Sequence, residues 1–491
     1  MTYLRCIFLP LLLGLGSIQA ENISYSGRTE SSYERLVLPG NEAMGLLKVG
    51  ALFDLNKQVF FGADIYSAVS GRRGGFFTVG VEGGLHLPLN EKLGFESGVF
   101  IGAGGGGAAP QGGGLMVRPY AGVTYDLGLF ALEAGMSRVW FPNGNIDSTQ
   151  IYAGISIPFG GRYWGGHDFD HTAVPDNDAE ASGVTTHVLL EHYRPAGGVH
   201  DVHSTKATEP YSLAGVEFVV GSGSVYHFFQ AAGAGAGSST GYMEVFGGMG
   251  YRYRAGDLFS LGIQGAIGAA GGGRVDTGGG LMYRGDVVLD VPLFDHLHLG
   301  ARYGQIGAFG GSFNAMSYGM TFGYEERFFG LGDPTFLRED TALSAWRFRL
   351  MNKSYLPAKG MFNDGQVNRI DLIGMALNRF LTPNIYVTGE SFWAWQGQAG
   401  GYAEGVFGLG YQTDSYRGFH LYAEGLAGVG GGGDVHMDGG IFASLGGGIM
   451  YDMDPNFQLH LGGAYVRSRT GGFRTTSIDF GVSYNFSLFS E

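Results

Sequence analysis

Five glutamates, Glu217, Glu244, Glu390, Glu404 and Glu424, fall in stretches where apolar residues alternate with small or polar ones, and each keeps phase with the small and polar set. Period-two alternation is the strand pattern, so these acids share one face of whatever sheet forms. On the wall of a water-filled passage they would set a cation preference. An interior that is polar merely because it is wet would carry them equally well. Histidine and aspartate gather at Gly165-Gly-His167-Asp-Phe-Asp-His171, followed by His187, His192, His200 and His203. Imidazole and carboxylate at that density suit zinc or another divalent ion. No HExxH or CxxC spacing accompanies them, so solvated loop histidines are the expected reading, with no metal and no other cofactor. No positioned constellation of Ser, His and acid is recognisable, and no catalytic residue is assigned. An enzyme is the minor alternative.

The last dozen residues show the scaffold that must position these groups. Ile478, Phe480, Val482, Tyr484 and Phe486 share one face, and Asp479, Gly481, Ser483 and Asn485 share the other. Asp479-x-Gly481-x-x-Tyr484-x-Phe486 resembles the C-terminal β-signal of Gram-negative outer-membrane barrel proteins, which the barrel assembly machinery reads. That resemblance implies an all-β transmembrane antiparallel barrel in the outer membrane. It also implies the assembly machinery and outer-membrane lipid as partners, with Asp479, Gly481, Tyr484 and Phe486 as the assembly signal. It departs in one respect: such proteins usually end on the aromatic, whereas Ser487 to Glu491 follow here. Ser317-Tyr-Gly319-Met-Thr-Phe322-Gly-Tyr324 and Tyr152-Ala-Gly154-Ile-Ser-Ile157-Pro-Phe159 are related stretches, and three copies imply an internal repeat.

Met1 to Ala20 reads as a secretory signal peptide, with Arg5, an apolar run from Ile7 to Leu15 and a small-residue exit at Ser17 to Ala20. The single cysteine, Cys6, lies inside it, so no disulfide framework is expected. Beyond it, no run of about eighteen apolar residues could cross a bilayer as a helix. The 491 residues include 92 glycines, 27 tyrosines and 36 phenylalanines, with 15% charged residues and a net charge of −14 at pH 7. Glycine at this level without a collagen period ordinarily points to disorder. Its interleaving with aromatic and β-branched residues points to strands instead. No nucleic-acid partner is expected.

Glycine clusters display the repeat. Gly102–Gly107 leads to Gly112-Gly-Gly-Leu115, Gly268–Gly273 to Gly278-Gly-Gly-Leu281, and Gly428–Gly433 to Gly439-Gly-Ile441. No amphipathic helix follows any of them, which argues against a dinucleotide-binding loop. The third copy predicts eight strands, at roughly 343–354, 369–380, 384–396, 401–412, 417–429, 439–451, 456–468 and 475–488, each long enough to cross a bilayer when tilted. Turns such as Leu381–Asn384 and Asp452–Asn456 are tight and rich in Asp, Asn and Pro. Those at the other end are longer or glycine-rich, which is the outer-membrane asymmetry with the short end periplasmic. The expected organisation is a signal peptide at 1–20 and repeats at 21–159, 184–326 and 340–491. A polar junction lies at 160–183 and a second junction at 327–339.

Three copies of eight predict about 24 strands. The inward-phase residues are small, Gly481, Ser483 and Asn485 among them, which favours one wide barrel of about 24 strands over three tandem eight-stranded barrels. The expected function is an outer-membrane channel, either an export pore for an extended polysaccharide or polypeptide, with a periplasmic export partner, or a wide porin. The alternative is a surface-exposed binding or structural protein presenting its glycine-rich loops.

Overall fold

The structure, a computed structural model, describes residues 22–166, 182–328 apart from His203, Ser222 and Asp257, and 342–490. The expected signal peptide and positions 167–181 and 329–341 of the junctions lie outside the described residues. Alternation becomes strand, and no helix occurs among the described residues.

The first eight strands are β1 (Asn22–Leu38), β2 (Glu42–Asp54), β3 (Val59–Ser70), β4 (Phe77–Pro88), β5 (Leu93–Gly105), β6 (Leu115–Asp126), β7 (Ala131–Trp140) and β8 (Asp147–Gly165). Each pairs antiparallel with the next, and β1 returns to β8, from Asn22↔Trp164 to Glu34↔Tyr152. The next eight are β9 (Ser182–Pro195), β10 (Tyr211–Val220), β11 (Val225–Ala236), β12 (Met243–Arg254), β13 (Ser260–Gly271), β14 (Leu281–Pro292), β15 (Leu297–Ala308) and β16 (Asn314–Phe328). They close through β16 and β9, from Ala315↔Pro195 to Phe328↔Ser182. The last eight are β17 (Ala342–Tyr355), β18 (Ile370–Phe380), β19 (Ile385–Gln396), β20 (Ala403–Gln412), β21 (Phe419–Gly431), β22 (Ile441–Asp452), β23 (Phe457–Ser468) and β24 (Arg474–Ser490). They close through β17 and β24, from Ala342↔Ser490 to Tyr355↔Ser477.

The 24 antiparallel strands therefore do not share one wall, and the wide barrel expected from the sequence is corrected to three closed rings. The edges of β1, β9 and β17 are consumed by the last strand of their own eight. The first junction is also shorter than expected, because Gly160 to Gly165 continue β8 and β9 begins at Ser182.

Eight strands enclose only enough space for side chains, and the small inward residues make room for large ones. A Cβ at Gly98 would stand 2.9 Å from the Tyr120 ring, and one at Gly481 would stand 2.6 Å from His460. Small positions on one strand are thus the complement of Tyr, His and Arg on its neighbours.

Short turns at one end are closed by side-chain caps. Asn56 Oδ1 accepts from the Gln58 and Val59 amides, Asn90 from Lys92 and Leu93, and Asp454 from Asn456 and Phe457, all at 2.8–2.9 Å.

At the other end, three glycine-rich hairpin tips share one geometry. Gly104 N–Gly114 O (3.0 Å), Ala270 N–Gly280 O (2.9 Å) and Gly430 N–Gly440 O (2.9 Å) close their bases. Each of these tips is docked against a neighbouring ring. Gly74 N donates to Gly278 O at 2.9 Å, Gly439 N to Thr240 Oγ1 at 2.9 Å, and Gln111 Nε2 to Gly400 O at 3.1 Å. The seams run head to tail, first ring to second, second to third and third to first, the arrangement by which heterologous contacts close a cycle.

The residues beyond the terminal aromatic have a place in this assembly. Phe486 and Ser487 pair with Gly165 and Trp164 of β8, and Ser490 pairs with Phe328 of β16. Ser487 Oγ donates to Gly166 O at 3.0 Å, and the Tyr163 and Tyr484 hydroxyls are 2.9 Å apart. Ending the chain at Phe486 is expected to leave the rings closed but loosen this junction, and faster amide exchange at Gly165 and Gly166 would register it. Unchanged exchange there would show that the tail contributes nothing.

Candidate functional site

Burial is inverted relative to a water-soluble fold. In β13, Leu261, Ile263 and Ile267 are exposed while Gln264 is buried, and elsewhere Ile151 is 78% exposed whereas the Arg284 side chain is 0% exposed. Apolar groups gain by facing out only where the surroundings are hydrocarbon, and backbone polar groups there must be paired, as closed rings pair them.

Each interior holds an ionic network contributed by inward positions of different strands. In the first ring, Lys48 of β2 lies 2.6 Å from Glu30, 2.9 Å from Glu82 and 3.7 Å from Asp64. Arg118 of β6 binds Glu34 at 2.8 Å, and Arg28 binds Glu96 at 2.7 Å. In the second, Arg284 of β14 holds Glu191 at 2.6 Å and Asp286 at 2.8 Å, while Arg302 of β15 holds Glu217 at 2.8 Å. In the third, Arg349 of β17 reaches Glu390 at 2.7 Å and Glu424 at 2.8 Å, and Lys353 reaches Glu404 at 3.2 Å. Buried charge this costly to desolvate is tolerated because the groups are paired, most of them through hydrogen bonds; Asp64, whose carboxylate oxygens accept none, is held by Lys48 alone.

The five acids singled out from the sequence all point inward, and none lines a wide passage. Glu217 also meets His187 at 3.0 Å. Glu244 accepts from Tyr193 at 2.8 Å and Tyr242 at 3.0 Å, and Glu404 in the same way from Tyr355 at 2.7 Å and Tyr402 at 2.6 Å. Glu424 accepts from Tyr386 at 2.8 Å. The structure gathers Glu390 with Glu424 on one guanidinium, and Glu217 and Glu244 within one ring.

Sequence reasoning missed the basic partners, together with Glu30, Glu34, Glu82 and Glu191. Phase alone would have found them, since Arg284 keeps step with Met282 and Asp286, and Arg349 with Arg347 and Met351. Arg347 stands apart: fully buried, it donates to Asn485 Oδ1 at 3.0 Å and Gln412 Oε1 at 2.8 Å and lies 4.8 Å from the centre of the Phe380 ring. A cavity of about 30 Å³ lies between Arg349, Lys353, Glu390, Tyr422 and Asp479, room enough for a water or two.

Above each network, at the glycine-tip end, an apolar cluster fills the ring. It comprises Leu36, Met44, Phe76 and Phe141 in the first, Tyr193, Tyr211, Phe246 and Phe313 in the second, and Tyr355, Phe362, Tyr402 and Phe473 in the third.

Of the assembly-signal residues in β24, Asp479 and Gly481 sit on the inner face, while Tyr484 and Phe486 sit on the outer face beside Tyr163. The histidines do not converge. His187 is interior, His192 hydrogen-bonds Ser212 at 2.9 Å against the Tyr318 ring, and His200 is in a loop bridged to Ala207. His167, His171 and His203 lie outside the described residues, among which no metal-ligating cluster occurs.

No family model and no curated protein matches the chain. Among solved structures it is similar to Pseudomonas aeruginosa OccK11 (OpdR), at 12% identity over 96% of this chain and 100% of that one, with a TM-score of 0.22. Acinetobacter baumannii OccAB3 gives 11% identity, 94% and 99% coverage and a TM-score of 0.23. The ferric enterobactin receptor PfeA of Pseudomonas aeruginosa gives 8% identity, 96% and 82% coverage and a TM-score of 0.28. The membrane assignment rests on the chain itself: closed antiparallel rings, apolar outside and ionic within, with short turns at one end, are the features of Gram-negative outer-membrane barrels as a general class.

Proposed function

We propose that this chain is an outer-membrane protein of the channel class in which three narrow barrels, closed in the state seen, replace one wide pore. The observation that carries this reading is the ionic network inside every ring. A purely structural barrel would be as stable or more so with a packed apolar interior, whereas paired charges can exchange partners and admit small hydrated ions. Acids outnumber bases in these networks among the described residues, with Glu191, Glu217, Glu244 and Asp286 facing Arg284 and Arg302 in the second ring, which favours cations. An export pore for a polymer, or a wide porin, needs a single large wall, and no observation supports one. No catalytic step is part of this function. In this reading the assembly machinery recognises Asp479, Gly481, Tyr484 and Phe486.

The second reading, a non-conducting structural or binding protein, is favoured by the apolar clusters that fill each ring above its network. Planar-bilayer recording separates the two. The channel reading expects small cation-selective steps in up to three equal levels, with no step of wide-porin size. Silence across all voltages, from protein shown to be inserted, would leave the structural reading.

A further inference from the structure

The last hairpin of each ring carries an outward pair nine residues apart at the glycine-tip end. In the first ring Arg138 donates to Asp147 through Nε and Nη2, at 2.8 and 2.7 Å. In the second Gln305 donates to Asn314 at 3.0 Å. In the third the corresponding residues are Tyr465 and Arg474, and Arg474 sits directly across the strand pair from Arg467. Like charges placed opposite each other destabilise a sheet, yet both are exposed, and neither has an ion pair among the described residues. Arg469 at the tip and Lys359 on the adjacent loop, brought near where Gly360 meets Gly472, are also exposed, with no ion pair among the described residues. The acid beside the tip, Asp438, lies 3.5 Å from His436 and is itself largely exposed. Below this basic rim the same wall continues as Tyr465, Ile478 and Phe480, all exposed apolar surface.

We infer that Arg467 and Arg474, with Arg469 and Lys359 beside them, bind the phosphorylated headgroup of an outer-leaflet lipid. Two guanidinium forks on adjacent strands match the oxygens of a phosphate. The neighbouring apolar wall receives the lipid's chains, and this continuity favours a lipid over a soluble anion. The first and second rings satisfy the same position internally, so the site belongs to the third ring. The inference rests on the outer-membrane reading; failure of that reading would show as recovery of the protein without detergent, whereas failure of the site would show in an inserted protein that lacks lipid preference.

The test uses the full chain, folded in detergent and titrated by native mass spectrometry with diphosphoryl lipid A and with its dephosphorylated form. Wild type is expected to prefer the phosphorylated lipid by about tenfold or more, some 1.4 kcal/mol. Arg467→Gln with Arg474→Gln should lose that preference, and Arg138→Gln with Asp147→Asn should keep it. Should the Arg467/Arg474 variant fail to show a folded, heat-modifiable band, Arg469→Gln with Lys359→Gln provides the reading, expected as a partial loss. Undiminished preference in the rim variants would overturn the site. Displacement of the lipid by millimolar inorganic phosphate would overturn the lipid and leave a soluble-anion site.

Discussion

Replacing Arg284 with alanine is expected to destabilise the second ring by about 3–5 kcal/mol, because Asp286 stays buried without its counter-charge and Glu191 keeps only Arg302, 3.4 Å away. The Arg284 guanidinium spans Glu191 at 2.6 Å and Asp286 at 2.8 Å, and it also donates to Gln230 at 3.0 Å. All five tryptophans of the chain, Trp140, Trp164, Trp346, Trp393 and Trp395, belong to the first and third rings. Urea unfolding of the variant should therefore lose part of its β circular dichroism at a lower midpoint than wild type, before tryptophan fluorescence moves. Restoring balance with Arg284→Met, Glu191→Gln and Asp286→Asn together should recover most of the loss, since neutral groups of similar size escape the desolvation penalty. An Arg284→Ala protein with a wild-type midpoint would show that the network is not paired as described.

The second large effect is expected at the seams. Gly114, Gly280 and Gly440 have φ values of +99, +98 and +83, and a side chain at each would run into the carbonyl of Ala394, Ala68 or Ala234 of the neighbouring ring. Gly280→Val combines left-handed strain of roughly 1–2 kcal/mol with a collision against rigid backbone. It should open the contact in which Gly74 N donates to Gly278 O at 2.9 Å. Amide exchange at Gly74 is expected to rise at least about tenfold, the equivalent of 1.4 kcal/mol. Gly128→Val is the matched control, with φ +93 and nothing within 4 Å, so it pays the strain without a collision. Equal exchange at Gly74 in both variants would mean that the seam does not depend on the missing side chain.

Strand positions in this chain are a local property and were legible in the sequence. The predicted 343–354, 384–396 and 456–468 became β17 (Ala342–Tyr355), β19 (Ile385–Gln396) and β23 (Phe457–Ser468). Side-chain phase was legible for the same reason: Ser483 and Asn485 are buried while Ile478 and Phe480 are exposed, and the five glutamates point inward. A period of two is fixed by the backbone of a single strand, without reference to any partner.

Closure was decided only in the tertiary structure. The bonds joining β1 to β8, rather than to β24 at the far end of the chain, are made by backbone groups that are chemically the same at every edge, so alternation carries no address for them. The small inward residues misled for a related reason. Gly481 signals an empty interior when read alone, but its lack of a side chain is filled by His460 from the adjacent strand. The glycine tips advertised their turns but not what they would touch. Positive φ is a property of one residue, whereas the approach of Gly280 to Ala68 requires two rings already built and set side by side.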